Sequence, residues 1–305
     1  MDIAVPELST YAEIARRWMT DGPAALAAPQ VRDTLATVST TKSLSRHQGR
    51  LGERGTPWGS VIIAPYSRPR TRGPSLYAFS QVTYDKFLKR LGTEIPERAE
   101  LRFSRLGDFG TPNAGDCFNF FAHLEDPSGE EPPDLLRLIA HHPLKKPDAE
   151  IPDETANRWA DFASTFLAEL NVPVLYGHVA NDVHDTQGGT AFEEETPGLL
   201  EFSAFESGRL RGYSWVTVIT ASQARSLGGV ASLGSSRAFS TVSETASGAV
   251  VLRATERLCD YTDEAVEKVW TALAPILPHG VVPSPQDPLS DGPLPRLILR
   301  DAAEA

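Results

Sequence analysis

Apolar residues recur along the 305-residue chain with the spacings that amphipathic helices and strands require. Between 153 and 170 they fall three and four residues apart, which predicts a helix with one buried face. Between 212 and 277 the pattern predicts a strand, a short helix, two strands and a long helix, in that order. A weaker copy of this order between 76 and 170 predicts an internal duplication.

These elements predict an α+β protein of two similar β-α-β-β-α units, with antiparallel-rich sheets covered by amphipathic helices. The predicted boundaries are 1–57 for a helical and basic N-terminal segment and 58–170 for the first unit. The second unit is predicted at 171–280, followed by a Pro-rich tail at 281–305.

Shorter patterns predict where individual helices begin and end. Thr10 and Glu13 have the spacing of a capping box and predict the start of the first helix. The Asp-Gly-Pro sequence at 21–23 predicts its end. The apolar run at 134–141 is predicted to be a short helix.

Charge and cysteine content limit the classes of function. The chain has 29 basic and 40 acidic residues, a net charge of −11, which argues against non-specific binding to nucleic acid. Two cysteines, Cys117 and Cys259, are too few for a disulfide framework or a complete zinc site, and both are expected to be buried. Without a signal-peptide pattern or an apolar run that spans a bilayer, we expect a cytoplasmic protein with no membrane partner.

Charge is unevenly distributed along the chain. Segment 42–72 has seven basic residues and one acidic residue, whereas 181–206 has seven acidic residues and no Lys or Arg. We expect the basic segment to neutralise the acidic one or to contact a charged protein partner, rather than nucleic acid. The acidic segment is a candidate binding surface for a basic protein partner, with candidate contact residues Asp182, Asp185, Glu193, Glu194 and Glu195.

One short segment has side chains that could bind a divalent metal. His178, Asp182 and His184 lie close together in sequence, and imidazole and carboxylate groups are common metal ligands. A strand end followed by a solvated acidic loop explains the same residues without a metal, and we expect no cofactor. The motifs GxGxxG, GxxxxGK[ST], GxSxG and HExxH do not occur, which lowers the expectation of the chemistries they mark.

The segment from about 153 to 277 resembles the bacterial type VI immunity family. In that family a strand with an aromatic residue leads into a short helix that ends in Leu-Gly-Gly. The residues that fit this pattern are Trp215, Ile219, Leu227, Gly228 and Gly229, together with Gly177 and His178 in the preceding strand. The resemblance implies a protein that binds and neutralises a cognate bacterial toxin and has no catalytic residues.

An enzyme or small-ligand-binding protein with a cleft between the two α/β units is the alternative. Clefts between such units are common ligand sites, and Trp58, Tyr176, Tyr213 and Trp215 lie near predicted strand ends, where they could line one. Core packing explains the same four aromatic residues. A structural or regulatory partner protein without a ligand also fits the sequence.

Overall fold

The computed structural model describes residues 1–5, 7–37, 50–65, 74–125, 135–142, 151–181, 190–194, 208–280, 297–298 and 300–304. The chain forms two compact units of mixed helix and strand, which confirms the predicted α+β class. The N-terminal unit is Val5–Lys146, and the C-terminal unit combines Met1–Ala4 with Pro147–Ala305. The division therefore differs from the predicted boundary at residue 170.

The described part of the N-terminal unit has three helices and five antiparallel strands. The helices are α1 (Leu8–Leu26), α2 (Ala28–Ala36) and α3 (Gln81–Leu91). The strands are β2 (Pro57–Pro65), β3 (Ser75–Ala78), β4 (Pro96–Leu106), β5 (Pro112–Glu125) and β6 (Leu135–His141). Their order in the sheet is β3-β2-β4-β5-β6, and every neighbouring pair is antiparallel.

One face of this sheet forms the core of the N-terminal unit. Leu101, Phe103 and Phe120 alternate with polar residues along β4 and β5 and are fully buried. The ring of Phe103 packs edge-on against Phe79 with 4.7 Å between centroids. The period of two therefore leaves a second face that carries the polar residues of the same strands.

Helix α1 continues past the Pro that was predicted to end it. Pro23 lies inside the helix, which runs on to the buried Leu26. Proline has no backbone N–H, so the carbonyl of Met19 receives no helical hydrogen bond at this turn. The hydroxyl of Tyr84 on α3 donates to that carbonyl instead, at 3.0 Å. The burial of Leu26 and the replacement hydrogen bond from Tyr84 explain why the helix tolerates Pro23.

The start of α1 also differs from the prediction. The helix begins at Leu8, so Thr10 and Glu13 lie within its first turns and do not form the predicted capping box. A true capping box occurs at α3, where Ser80 accepts a hydrogen bond from the amide of Thr83 at 3.2 Å. Sequence spacing alone therefore located one helix start incorrectly.

The prediction of a short helix at 134–141 is wrong. This run forms β6, paired with β5 in a register that extends from Glu125 opposite Leu135 to Asn119 opposite His141. An apolar run of this length fits a buried strand as well as a helix, and here pairing with β5 decides between them.

The described part of the C-terminal unit has five strands and five α-helices. The strands are β1 (Asp2–Ala4), β7 (Val174–Val179), β8 (Val216–Ile219), β9 (Thr241–Glu244) and β10 (Val250–Arg253). The helices are α4 (Asp153–Ala168), α5 (Ala191–Glu194), α6 (Ala221–Ser226), α7 (Gly229–Ser235) and α8 (Asp263–Leu273). The order predicted for 212–277 is present, with α7 as an additional helix.

The C-terminal sheet is antiparallel, with the order β1-β7-β8-β10-β9. Its core includes Phe166 and Leu167 from α4 and Val269 from α8, all buried. Gly228 directly precedes α7 and Gly229 begins it, with φ angles of 86° and 83°. Glycine adopts this left-handed conformation without strain. The backbone at this junction therefore explains why two glycines follow Leu227.

The strand order does not repeat between the two units. In the N-terminal unit, β2 separates β3 from β4 and β5, the next two strands along the chain. In the C-terminal unit, β10 pairs directly with β8, and β9 lies at the edge. Helix α4, predicted to close the first copy, belongs to the C-terminal unit. The internal duplication is therefore not confirmed.

The expectation that both cysteines are buried is met at only one of them. Cys117 is buried as expected, whereas Cys259 is exposed. Of the helices that the structure describes, none has the length and apolar character needed to cross a membrane.

Candidate functional site

The second face of the N-terminal sheet brings together charged, polar and aromatic side chains from three strands, and we call it the polar sheet face. It consists of Arg98, Glu100 and Arg102 on β4, Asn119, Phe121 and His123 on β5, and Arg137, Ile139 and His141 on β6. These residues alternate with the buried apolar residues of the same strands. Period-two patterning therefore positions all of them on one surface.

The strand register determines which of these side chains are neighbours. Arg98, His123 and Arg137 lie directly opposite one another and form a row across three strands. Glu100 and Phe121 lie opposite each other in the next row. Directly opposite residues have Cβ atoms about 4.5–5.5 Å apart, so two guanidinium groups, an imidazole and an aromatic ring share a small area.

Three residues along β4 form an ion triad. Glu100 is fully buried, and its carboxylate lies 3.3 Å from Nη2 of Arg98 and accepts a hydrogen bond from Nε of Arg102. The side chains of the two arginines are 40% and 41% exposed. Glu100 thus fixes the two guanidinium groups, whose remaining N–H groups can bind a carboxylate from solution or from another protein.

His123 lies between two arginines in the middle of this face. Burial, followed by the charges of Arg98 and Arg137, lowers the pKa of His123 to about 4. Arg137 is itself buried and pairs with Glu125 at 3.3 Å. No described residue hydrogen-bonds to Nε2 of His123. At neutral pH the row therefore consists of a neutral imidazole between two cations.

A tight turn at the end of the same hairpin holds an aromatic ring in solvent. We call Gly107–Thr111, between β4 and β5, the clasped turn. Its Phe109 is 82% exposed. The carbonyl of Gly110 accepts a hydrogen bond from the amide of Leu51 at 2.9 Å. This bond and the Gly107–Thr111 backbone pairing at 2.7 Å order the turn that presents the ring.

The four aromatic residues predicted to line a cleft occupy different environments. Tyr176, Tyr213 and Trp215 are each at most 4% exposed within the C-terminal unit. Nε1 of Trp215 donates to the carbonyl of Thr255 at 3.0 Å, and burial raises the pKa of Tyr213. Trp58 is half-buried on β2 of the N-terminal unit. Core packing is therefore the better interpretation of the first three.

The predicted acidic contact surface is described at one residue only. Asp182, Asp185 and Glu195, and the side chain of Glu194, lie outside the described residues. The carboxylate of Glu193 is 9% exposed and lies 2.6 Å from Nε of Arg211. Its other contacts include the amide of Thr190 at 2.9 Å. Because Glu193 is an interior ion-pair partner, we do not include it in a partner-binding surface.

The predicted metal site cannot be built from the described residues alone. His178 lies on β7, 5.5 Å from the ring of Tyr176, whereas Asp182 and His184 lie outside the described part of the chain. Among the described residues, no group of three or more His, Cys, Asp or Glu is placed to hold a metal ion. The metal site stays a prediction.

The sequence interpretation did not single out the polar sheet face. The alternation of Arg98, Glu100 and Arg102 with apolar residues was a usable signal, since it predicts three charged side chains on one face of a strand. The position of Arg137 was hidden because its segment was predicted to be helical. Comparison of the chain with protein-family models, curated proteins and solved structures gave no match.

Proposed function

We propose that this chain is an immunity-type protein that binds and neutralises a cognate bacterial toxin, and that the polar sheet face contacts the toxin. The sequence resemblance over 153–277 supports the class of protein. The observation that carries the proposed surface is the ion triad beside Phe121, in which the buried Glu100 holds the partly exposed side chains of Arg98 and Arg102.

The composition of this face favours a protein partner. Arginine and aromatic residues are enriched at protein interfaces and among the residues that dominate binding energy. Each guanidinium group can form paired hydrogen bonds with a carboxylate. Because Glu100 holds Arg98 and Arg102 in place, less side-chain entropy is lost when a partner binds. We therefore expect the toxin to present Asp or Glu side chains to this face.

The clasped turn provides a second contact of the same kind. Phe109 is a large apolar side chain on an ordered turn, and such a side chain gains binding energy when a partner pocket covers it. A toxin surface that combines carboxylates with an apolar pocket would match both features.

The test is co-expression with the candidate toxins encoded next to this gene, followed by affinity measurement on the purified pair. We expect one of them to bind stoichiometrically and to lose its growth inhibition in the presence of this protein. The triple variant R98Q/E100Q/R102Q should weaken the complex at least roughly 30-fold, the loss typical of a dominant contact. Replacing all three residues avoids leaving the Glu100 carboxylate buried without a partner.

The matched control is E154Q/R158Q, which removes an exposed ion pair on α4 with an N–O distance of 3.1 Å. This control should bind like the wild type. If no neighbouring gene product binds or is neutralised, the immunity proposal is wrong. If binding occurs but the triple variant, folded by circular dichroism, binds equally well, the polar sheet face is not the contact surface.

A further inference from the structure

A groove beside α3 in the N-terminal unit has the properties of a small-molecule site. Its volume is about 260 Å³, and its apolar lining comes from Val61 and Ile63 on β2, Tyr77 on β3, and Val82 and Phe87 on α3. Ligand pockets typically measure about 300–1,000 Å³. This groove lies just below that range and suits a ligand of few atoms.

The strand lengths explain why the groove exists. Edge strand β3 has four residues, and it pairs with only part of the nine-residue β2. Opposite Ile63 on β2, the edge strand offers only the small side chain of Ser75. Helix α3 passes over this region and leaves Val82 53% exposed at the rim. Within the part of the chain that the structure describes, the apolar surface there is incompletely covered.

Two cations lie on the helical side of the groove, one turn apart. Arg90 is already engaged by Glu94, with N–O distances of 2.8 and 3.1 Å. Lys86 is exposed, and no described carboxylate forms an ion pair with it. Among the described residues, the groove therefore combines an apolar wall with the available positive charge of Lys86.

We propose that this groove binds a small amphipathic monoanion, with an apolar chain against Val61, Ile63 and Phe87 and a carboxylate at Lys86. The apolar lining favours the chain, and the ammonium group of Lys86 favours a single negative charge. A water-sized chemical group, such as a methylene, occupies roughly 30 Å³, so the groove accommodates about nine such groups. A medium-chain fatty acid has this size and charge.

The test is calorimetric titration of the full-length protein with octanoate, and with octanol as an uncharged ligand of the same chain length. We expect saturable one-to-one binding of octanoate and clearly weaker binding of octanol. Lys86→Gln should weaken octanoate binding about two- to fivefold, as expected for the loss of an exposed charge pair. Lys89→Gln is the matched control, since Lys89 is an exposed lysine of the same helix that does not line the groove.

The proposal is wrong if octanoate shows no saturable binding up to about 10 mM, the weak limit expected for a ligand of ten atoms. It is also wrong if Lys86→Gln and Lys89→Gln have equal effects, because binding would then not depend on this groove. Val82→Trp, which fills the rim without removing a charge, should block octanoate binding as well. The octanoate assay contains no partner protein. A negative result would therefore contradict the ligand proposal without testing the proposed toxin binding.

Discussion

Nε of Arg211 lies 2.6 Å from Oε1 of Glu193, and both side chains belong to the interior of the C-terminal unit. Arg211 also donates a hydrogen bond to the buried carboxylate of Asp2, and its guanidinium group lies 5.1 Å from the ring centroid of Tyr176. One cation thus neutralises two acids that are distant from it and from each other in the sequence.

Replacing Arg211 with Met should destabilise the protein strongly. The change keeps much of the side-chain volume but leaves Asp2 and Glu193 buried without their cation, which costs about 3–5 kcal/mol. Arg209→Met removes a half-buried arginine two residues away, whose exposed hydrogen bond to the carbonyl of Pro275 measures 2.8 Å, and should cost less than about 1 kcal/mol. Urea unfolding of both variants measures the difference, and equal losses would contradict the structural role of Arg211.

The bond between Tyr84 and the Met19 carbonyl predicts a coupling between Tyr84 and Pro23. Tyr84→Phe should cost about 1–2 kcal/mol, because the carbonyl that Pro23 leaves without a helical donor then loses its remaining one. In a Pro23→Ala background the alanine amide can donate to the same carbonyl, so the same change should cost less. A double-mutant cycle by chemical denaturation measures the coupling, and additive effects would show that the two residues are independent.

How much of this fold could be predicted depended on the length of each pattern. The apolar stripe of α4 extends over several helical turns. The sequence predicts that this helix begins at Asp153, and it does. The seven-residue β6 was mistaken for a helix because so short an apolar run has no decisive period. Pro23 was taken as a helix end because its compensating donor, Tyr84, is distant in sequence. Such long-range contacts are not present in local patterns.

The candidate site was less predictable than the fold. The acidic residues predicted to contact a partner drew attention by their density, yet Glu193 proved to be a buried ion-pair partner. The polar sheet face combines residues from three strands, and Arg98 becomes a neighbour of Arg137 only through the register with His123. Register depends on pairing between strands and cannot be read from one strand alone.

The pKa of His123 predicts a specific loss of stability in acid. Its folded-state pKa of about 4 lies below the ordinary value of 6.5, so between these values the unfolded chain binds a proton that the folded chain does not. Folding stability should therefore fall as pH decreases from about 6.5 towards 4, by up to about 3 kcal/mol from this residue. The burial of the ring, followed by the charges of Arg98 and Arg137, is the cause.

His123→Gln should remove this contribution while leaving other acid-sensitive groups in place. The measurement is the free energy of unfolding of both proteins between pH 7 and pH 4, and the wild type should lose more stability over that range. Titration of the His123 ring protons by NMR is a direct check. A midpoint near 6.5 in the folded protein would show that burial and the two arginines do not act as inferred.

The clasped turn should be sensitive at Gly110 and tolerant at Phe109. Gly110 has a φ of +67°, and a Cβ there would lie 2.6 Å from the carbonyl oxygen of Gly52. Gly110→Ala should therefore cost more than about 2 kcal/mol, from the left-handed conformation and the backbone clash together. Gly55→Ala is the matched control, since Gly55 has a φ of +81° with no atom within 4 Å of the added Cβ. It should show only the conformational cost of about 1–2 kcal/mol.

The difference in unfolding free energy between Gly110→Ala and Gly55→Ala isolates the cost of the backbone clash at Gly110. Phe109→Ala should change stability by less than about 0.5 kcal/mol, because its ring is exposed and makes little contact with the rest of the unit. Thermal denaturation of the three variants measures all of these effects. If Phe109→Ala were as damaging as Gly110→Ala, the ring would be part of the core, and its proposed availability to a partner would be wrong.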